Sequence, residues 1–439
     1  MRKLTLLSAI MVASLSAAGA AWADPVLNGK AAFGDWTQDA PGVTRHISAG
    51  DLEPAQLANS GYNGPQGKAM PADAMPKAPT GYKVEMVASG IKNPRAMRFA
   101  PNGDLFIADS AADEVLVFRV GTAGAKPEVF ASGLHQPYGI NFYPTGPDPK
   151  WLYVANSNSV VRYPYRAGDT AAEGQAEVVV PDVPSNHHWT RDIVFSPDGK
   201  SMYLSVGSGS NVAEDMTKAP DGGVDAWAAN HLLGEAWGAE RARAAVWSFT
   251  PEGKDAQVYA TGLRNCAGMT VQPESGDVWC VVNERDALGD NVPFEYATHV
   301  AKGAWYGWPW YYLGNHEDPR HAGERPDLAG KATVPDVLMQ AHSAPLNIAF
   351  YEGRMFPDLK GDALVTLHGS WNRGKRTGYK VVLLPFKDGK PTGDYQDFLT
   401  GFVLSDTDIW GRPVGVAVAP DGSLYVSEDA NGTIWRVSR

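Results

Sequence analysis

Only two of the 439 residues are cysteine, Cys266 and Cys280, and no Cys-x-x-Cys-His is present. That spacing is what covalent haem attachment needs, so no built-in haem is expected. No Gly-x-Gly-x-x-Gly opens a helix, no P-loop Gly-x-x-x-x-Gly-Lys-Ser/Thr occurs, and Gly-x-Ser-x-Gly is absent. These absences argue against nicotinamide chemistry, ATP chemistry and a serine-hydrolase elbow. Past the first 23 residues no segment holds the ~20 consecutive apolar residues of a membrane span. Charged residues make up 20% of the chain and the formal charge is −11, so nothing invites nucleic acid through counterion release. What the chain has in quantity is glycine (47), proline (32), tyrosine (17) and tryptophan (14), a composition suited to tight turns between short strands.

The chain opens Met1-Arg2-Lys3, runs apolar to Ala21 and reaches Ala21-Trp22-Ala23 before Asp24. A basic start, a short apolar segment and an Ala-x-Ala site predict a signal peptide over 1–23 and a periplasmic mature protein. Residues 24–80 are rich in Gly, Pro, Ala and Asn without sustained periodicity, which predicts an extended N-terminal arm. An oxidising compartment permits a bridge between the two cysteines. They flank Glu274-Ser275-Gly276-Asp277 unequally, so simple hairpin pairing does not set them opposite each other and the bridge stays open.

Residues 81–439 carry an internal repeat: a short apolar run, a Pro-x-Gly-type turn, a β-rich run, then a polar loop. Copies span 95–110, 137–157, 190–211, 265–286, 346–372 and 413–432. Each pair of runs alternates apolar and polar residues about a turn, a hairpin signal, and further strands follow at 114–119, 128–131, 245–249 and 257–260. Four strands per unit and six units predict an all-β, six-bladed β-propeller, with no linker to suggest stacked sandwiches. The last unit lacks an outer strand, and 82–89 reads as the one that closes the ring.

Propeller connectivity puts the loop entering a blade's first strand and the loop leaving its second on one face. The entering set is Arg95, Tyr138, His187, Arg264, Asn347 and Arg412; the leaving set is Asp109, Asn156, Ser208, Glu284, Asp286, His368 and Asp429. A slip of one residue would swap which side chains face inward. Within this ring His187 or its neighbour His188 suits a general base. Arg264 and Arg412 suit a carboxylate or a polarised carbonyl, or a structural ion pair with Asp286 or Asp429. Arg373 and Lys375 add cations from the fifth blade. The 283–291 loop offers Glu284, Asp286 and Asp290, oxygens of the kind calcium takes, without EF-hand spacing. Tyr306, Trp308 and Trp310 could stack on a planar cofactor or sugar, or pack the rim.

In order around the blades, Gly262-Leu-Arg-Asn265, Asn283-Glu-Arg-Asp286, Tyr306-Gly-Trp-Pro309 and Trp410-Gly-Arg-Pro-Val-Gly resemble the soluble pyrroloquinoline-quinone (PQQ)-dependent sugar dehydrogenases. HGSWNRGKRTGYKV, starting at His368, brings the chain nearest the L-sorbosone dehydrogenase branch. The resemblance implies PQQ in the propeller mouth, a Ca2+ ion beside it, and hydride transfer from a sugar or aldehyde carbon to the quinone C5. It gives the base role to His187, four residues before Arg191, and assigns Arg264 and Asn265 to the quinone. It places Arg412 on the cofactor side, matches Asp429 to an acidic position after the last hairpin, finds no clear match for the family's cofactor lysine, for which Arg373 or Lys375 could substitute, and maps the calcium loop onto Glu284, Arg285 and Asp286; Trp308 stands as the stacking candidate for the cofactor. An external electron acceptor follows, since the chain holds no covalent haem site. The chain departs from the glucose-oxidising members at Cys266-Ala267-Gly268, where they carry Pro-x-Gly, and at Val414, where they carry an arginine. A calcium-dependent lactonase and a non-catalytic sugar- or protein-binding propeller are the rival readings.

Overall fold

The structure is a computed structural model that describes residues 26–122 and 125–439. The expected signal segment, 1–23, lies outside the described residues. Among the described residues no helix is long and apolar enough to cross a membrane.

Six antiparallel sheets of at least four strands follow one another along the chain, and each begins with its innermost strand. Blade one runs from Pro94–Phe99 to Glu128–Ala131, blade two from Gly139–Tyr143 to Glu177–Val180, and blade three from Ile193–Phe195 to Gln257–Thr261. Blade four starts at Cys266–Val271 and ends at Val337–Met339, and blade five spans Pro345–Phe350 to Asp394–Leu399. Blade six is made of Pro413–Val418, Leu424–Glu428, Thr433–Ser438 and the early strand Lys83–Ala88. The segment expected at 82–89 therefore closes the ring.

The second strands depart from the expected alternation. Leu105–Asp109, Val278–Val282, Ala363–Leu367 and Leu424–Glu428 are buried at every position. A blade is covered on both faces by its neighbours, so its central strand has no solvent side and reads as a continuous apolar run.

Three glycines bring inner strands into close contact. A Cβ on Gly139 would lie 2.7 Å from Arg191 O, one on Gly268 2.4 Å from Leu346 O, and one on Gly415 2.5 Å from Arg95 O. No side chain fits at such separations, so each glycine is there for close backbone approach. The seams join blades two to three, four to five, and six to one. Side chains add to this ring: Asp192 Oδ2 accepts from Met269 N at 2.8 Å and Asn347 Oδ1 from Val416 N at 3.1 Å, each across to the next blade.

The arm is folded onto the propeller. Thr44–His46 pairs with Asp394–Leu399, and Leu27–Asn28 adds in parallel, so blade five becomes a six-stranded sheet. Gln66–Gly67 pairs with Asp408–Ile409. Beneath the arm, Arg45 binds Asp397 at 2.7 Å and Asp39 at 2.9 Å, and Lys380 binds the same two carboxylates at 2.8 and 2.6 Å. Two cations and two anions balance, which is what permits four charged groups in a place without water.

Cys266 and Cys280 are bridged, with Cα atoms 5.8 Å apart. A β-bulge between Cys266 and Gly268 leaves Ala267 unpaired and sets Cys266 opposite Val282, two residues from Cys280. The bulge shifts the register that plain hairpin counting assumes.

Candidate active site

Loops from blades three to six converge on a cavity of about 350 Å3 lined by His187, His188, Asn265, His368, Trp371 and Arg412, among others. That volume is within the range of small-molecule sites. A smaller recess of about 100 Å3 shares His188, Asn265 and Trp371 and extends to Arg264, Glu284, Asp286, Glu295 and His342. The inner strands of blades one, four, five and six all carry a bulge at their first residues. Bulges re-aim side chains next to functional sites, and here they lie beside Arg95, Arg264 and Arg412.

The two histidines are placed differently. His188 Nδ1 lies 3.1 Å from Ser208 O and 2.8 Å from Ser208 Oγ, whose own proton goes to Ser210 O at 2.7 Å. A carbonyl only accepts, so His188 carries its proton on Nδ1 and leaves Nε2 as a bare acceptor. Burial, and then the Arg264 and His187 charges, push the His188 pKa well below the ordinary imidazole value, so the ring is neutral at pH 7. His187 is exposed, at φ +65°, and its Nε2 lies 3.0 Å from Asn211 Oδ1. That oxygen also accepts from Arg264 Nη2 at 2.9 Å, so His187 Nε2 is a donor.

Arg264 is buried and fully engaged, with Asn211 O at 3.1 Å, Asn283 O at 3.0 Å and Asp286 Oδ2 at 3.1 Å. The ion pair with Asp286, the structural alternative for this arginine, is therefore present, twenty-two residues along the chain. Asn265 accepts from Thr190 Oγ1 at 3.2 Å and lines both spaces. Arg412 is different: it donates Nε to His368 O at 3.3 Å and has no carboxylate within 4 Å among the described residues. Burial lowers its pKa, with Asp429 opposing. Asp429 is committed to Arg95 Nη1 at 2.5 Å and to His368 Nε2 at 2.9 Å. Burial would raise that carboxyl; His368, Arg95 and Arg412 outweigh it and hold it below the usual range. Burial and the Arg412 charge take His368 down to about 4, against the pull of Asp429.

The 284–286 loop divides its charges. Asp286 turns to Arg264, its Oδ1 stands 3.7 Å from His342 Nδ1, and its carbonyl accepts from Arg320 Nη1 at 2.8 Å. Arg285 turns away from the recess into the core, where it meets Glu284 at 3.0 Å, Asp318 at 3.1 Å, Pro309 O at 2.7 Å and Tyr311 O at 2.6 Å. Glu284 gives one oxygen to Arg285 and keeps Oε1 buried with no partner. Among the described residues no three His, Cys, Asp or Glu side chains are grouped for a metal.

Two expected cofactor residues sit elsewhere. Trp308 is 1% exposed, wedged between the guanidiniums of Arg264 and Arg285 at 5.6 and 5.1 Å, with its indole N–H on Glu240. Trp305 and Trp310 pack with Trp237 in the core formed by two long loop excursions. Arg373 lies under the arm, bonded to Phe33 O at 2.7 Å, Gly34 O at 3.2 Å and Asn291 Oδ1 at 3.1 Å. Glu295, in the third strand of blade four, was not foreseen. Its carboxyl accepts Glu284 N at 2.7 Å, and burial raises its pKa well above normal. No sequence pattern distinguishes it from other strand residues.

A six-bladed propeller whose mouth sets histidines and arginines beside buried carboxylates defines the class. The profile of the TrAA12-like family matches residues 76–301 and 322–439, and the chain belongs to that family. It is 27% identical over 379 residues to an uncharacterised protein of Borreliella burgdorferi, covering 82% of this chain and 90% of that one. It is 27% identical over 233 residues to a pyrroloquinoline quinone-dependent pyranose dehydrogenase of Coprinopsis cinerea, covering 42% of this chain and only 31% of the fungal protein. The holo PQQ domain of pyranose dehydrogenase from the same fungus superposes with a TM-score of 0.67 at 20% identity, over 84% of this chain and 98% of that domain, a likeness of fold.

Proposed function

We propose that the chain is a PQQ-dependent oxidoreductase that oxidises a pyranose, an aldose or an aldehydic sugar such as sorbosone. One observation carries the reading. His188, which keeps Nε2 unprotonated, lines a cavity of about 350 Å3 together with Arg412, a guanidinium with no carboxylate within 4 Å among the described residues. Membership of the TrAA12-like family, and the pyranose dehydrogenase relative, support it.

The residues fit an anionic planar quinone. Arg412 is free to fork onto a carboxylate, and Asn265 lines the same space. They also offer a calcium ion one buried, unpartnered carboxylate oxygen, Glu284 Oε1, which backbone and ligand oxygens would have to supplement. Bound PQQ would supply the hydride acceptor. His188 takes the proton of the substrate hydroxyl at Nε2, while Ser208 O holds Nδ1–H and fixes the tautomer. An aldehyde enters this scheme as its hydrate. His187, with Nε2 on Asn211 and its ring in solvent, orients the substrate at the rim. An external carrier takes the electrons, and the opening 23 residues direct export to the periplasm.

Reconstitution with PQQ and calcium, followed by dye reduction with a panel of sugars, tests the reading. His188→Ala should lower turnover by about 10²–10⁴-fold, the usual worth of a general base, while the quinone spectrum of the bound protein persists. His187→Ala should lower it less. Lactone hydrolysis without dye reduction or quinone binding would overturn the proposal.

A further inference from the structure

The aromatic surface that faces the mouth is not the buried Trp308 group. Trp371, 36% exposed, lines both cavities, and its outer edge meets Tyr62, 78% exposed, with ring centroids 5.8 Å apart and planes at 70°. Tyr62 comes from the arm, outside the residues matched by the family profile.

The backbone around Tyr62 is fastened on both sides. Gly61 N donates to Asp290 Oδ1 at 2.8 Å, and Gly61 O accepts from Asn372 Nδ2 at 3.0 Å. Asn63 N donates to Trp371 O at 2.8 Å, and Asn63 Oδ1 accepts from Arg376 Nη2 at 3.1 Å. A Cβ on Gly61 would lie 2.3 Å from Gly374 N, so the approach of the two loops requires glycine there. A segment held this firmly that still leaves its one large apolar ring in water is preorganised for a ligand.

Resting on the reading of the mouth as a sugar site, we infer that Trp371 and Tyr62 form a two-step aromatic platform for a saccharide of two or more rings. The reacting ring lies in the cavity against Trp371, and the next ring stacks its C–H face on Tyr62. Rigid, half-solvated aromatic rings suit this task, since they give contact area with little conformational freedom to lose.

The test is calorimetric titration of the protein, with and without added quinone, using cellobiose and glucose as probes. Wild type should bind cellobiose more tightly than glucose. Tyr62→Ala should weaken cellobiose about tenfold and glucose less than twofold, and Tyr62→Phe should restore cellobiose binding, because the ring and not the hydroxyl makes the contact. Trp371→Ala should weaken both sugars. Equal affinity for the two sugars in wild type, equal losses in Tyr62→Ala, or no rescue by phenylalanine would overturn the inference. Tyr62-dependent cellobiose binding in a protein that reduces no dye would sink the quinone reading and leave the platform standing.

Discussion

Acid should weaken this protein through His368, by an amount the structure sets. His368 is buried, donates Nε2–H to Asp429, and is pressed by the Arg412 charge, so its folded-state pKa falls from the ordinary 6.5 to about 4. The unfolded chain takes up a proton near pH 6.5 that the folded chain refuses. Stability from this residue is therefore present above pH 6.5 and is lost as pH falls toward 4. At pH 5.0 the unfolded histidine is almost fully protonated and the folded one is not, a difference of about 1.5 pKa units or ~2 kcal/mol. The perturbation is His368→Gln, which keeps a donor for Asp429 and cannot titrate. Urea unfolding at pH 7.5 and pH 5.0 should show wild type losing about 2 kcal/mol more than the variant between the two. In a chain of this length that is a melting shift of about 2 °C. His188 titrates in both proteins, so its contribution cancels. If wild type and variant lose stability in parallel, His368 is charged in the folded state and the account of its surroundings is wrong.

Replacing both cysteines with alanine should cost about 3 kcal/mol in urea unfolding, from the loop of 14 residues that the bridge closes; a loss under 1 kcal/mol would show that the bridge does not restrain the unfolded chain. Arg45→Met leaves Lys380 facing two buried carboxylates alone, an imbalance of about 3–5 kcal/mol, and limited proteolysis should then release the arm; an arm that stays protected refutes the clasp. Gly268→Ala should cost about 1–3 kcal/mol by overpacking, because the new methyl meets backbone atoms of blade five, whereas Gly67→Ala meets nothing within 4 Å and should melt like wild type.

The architecture was legible because a repeat is a pattern in one dimension. Its phase located the hairpins, and the missing outer strand after Thr433–Ser438 pointed to Lys83–Ala88. Side-chain direction was harder. Bulges at the start of four inner strands shift the register where the site begins, and alternation carries no sign of them. Arginine pairing was legible as a choice but not as an outcome: Arg264 found Asp286, Arg412 donates to His368 O with no carboxylate within 4 Å among the described residues, and Arg373 was captured by the arm. Large aromatics misled for a simple reason. Trp308 is packed between the guanidiniums of Arg264 and Arg285 and Trp310 against that of Arg325, whereas Trp371, next to the arm, keeps an open face. The arm itself lacked periodicity because its order comes from edge pairing and four buried charges, neither of which leaves a local signature.

The glycine seams have a further effect on the mouth. Gly139 follows Tyr138 directly, Gly268 lies four residues after Arg264, and Gly415 three after Arg412. Each seam thus works as a spacer gauge: backbone pressed on backbone admits no adjustment by side-chain rotation, so three of the six joints of the inner ring are set by hard contact. The separation between Arg412 on one blade and His188 or Arg264 on others then depends in part on the ring and not on the loops alone. Enlarging one glycine widens the ring and moves groups that never touch it, so the tolerance of this mouth for ligands of different width is written in three residues that line neither cavity.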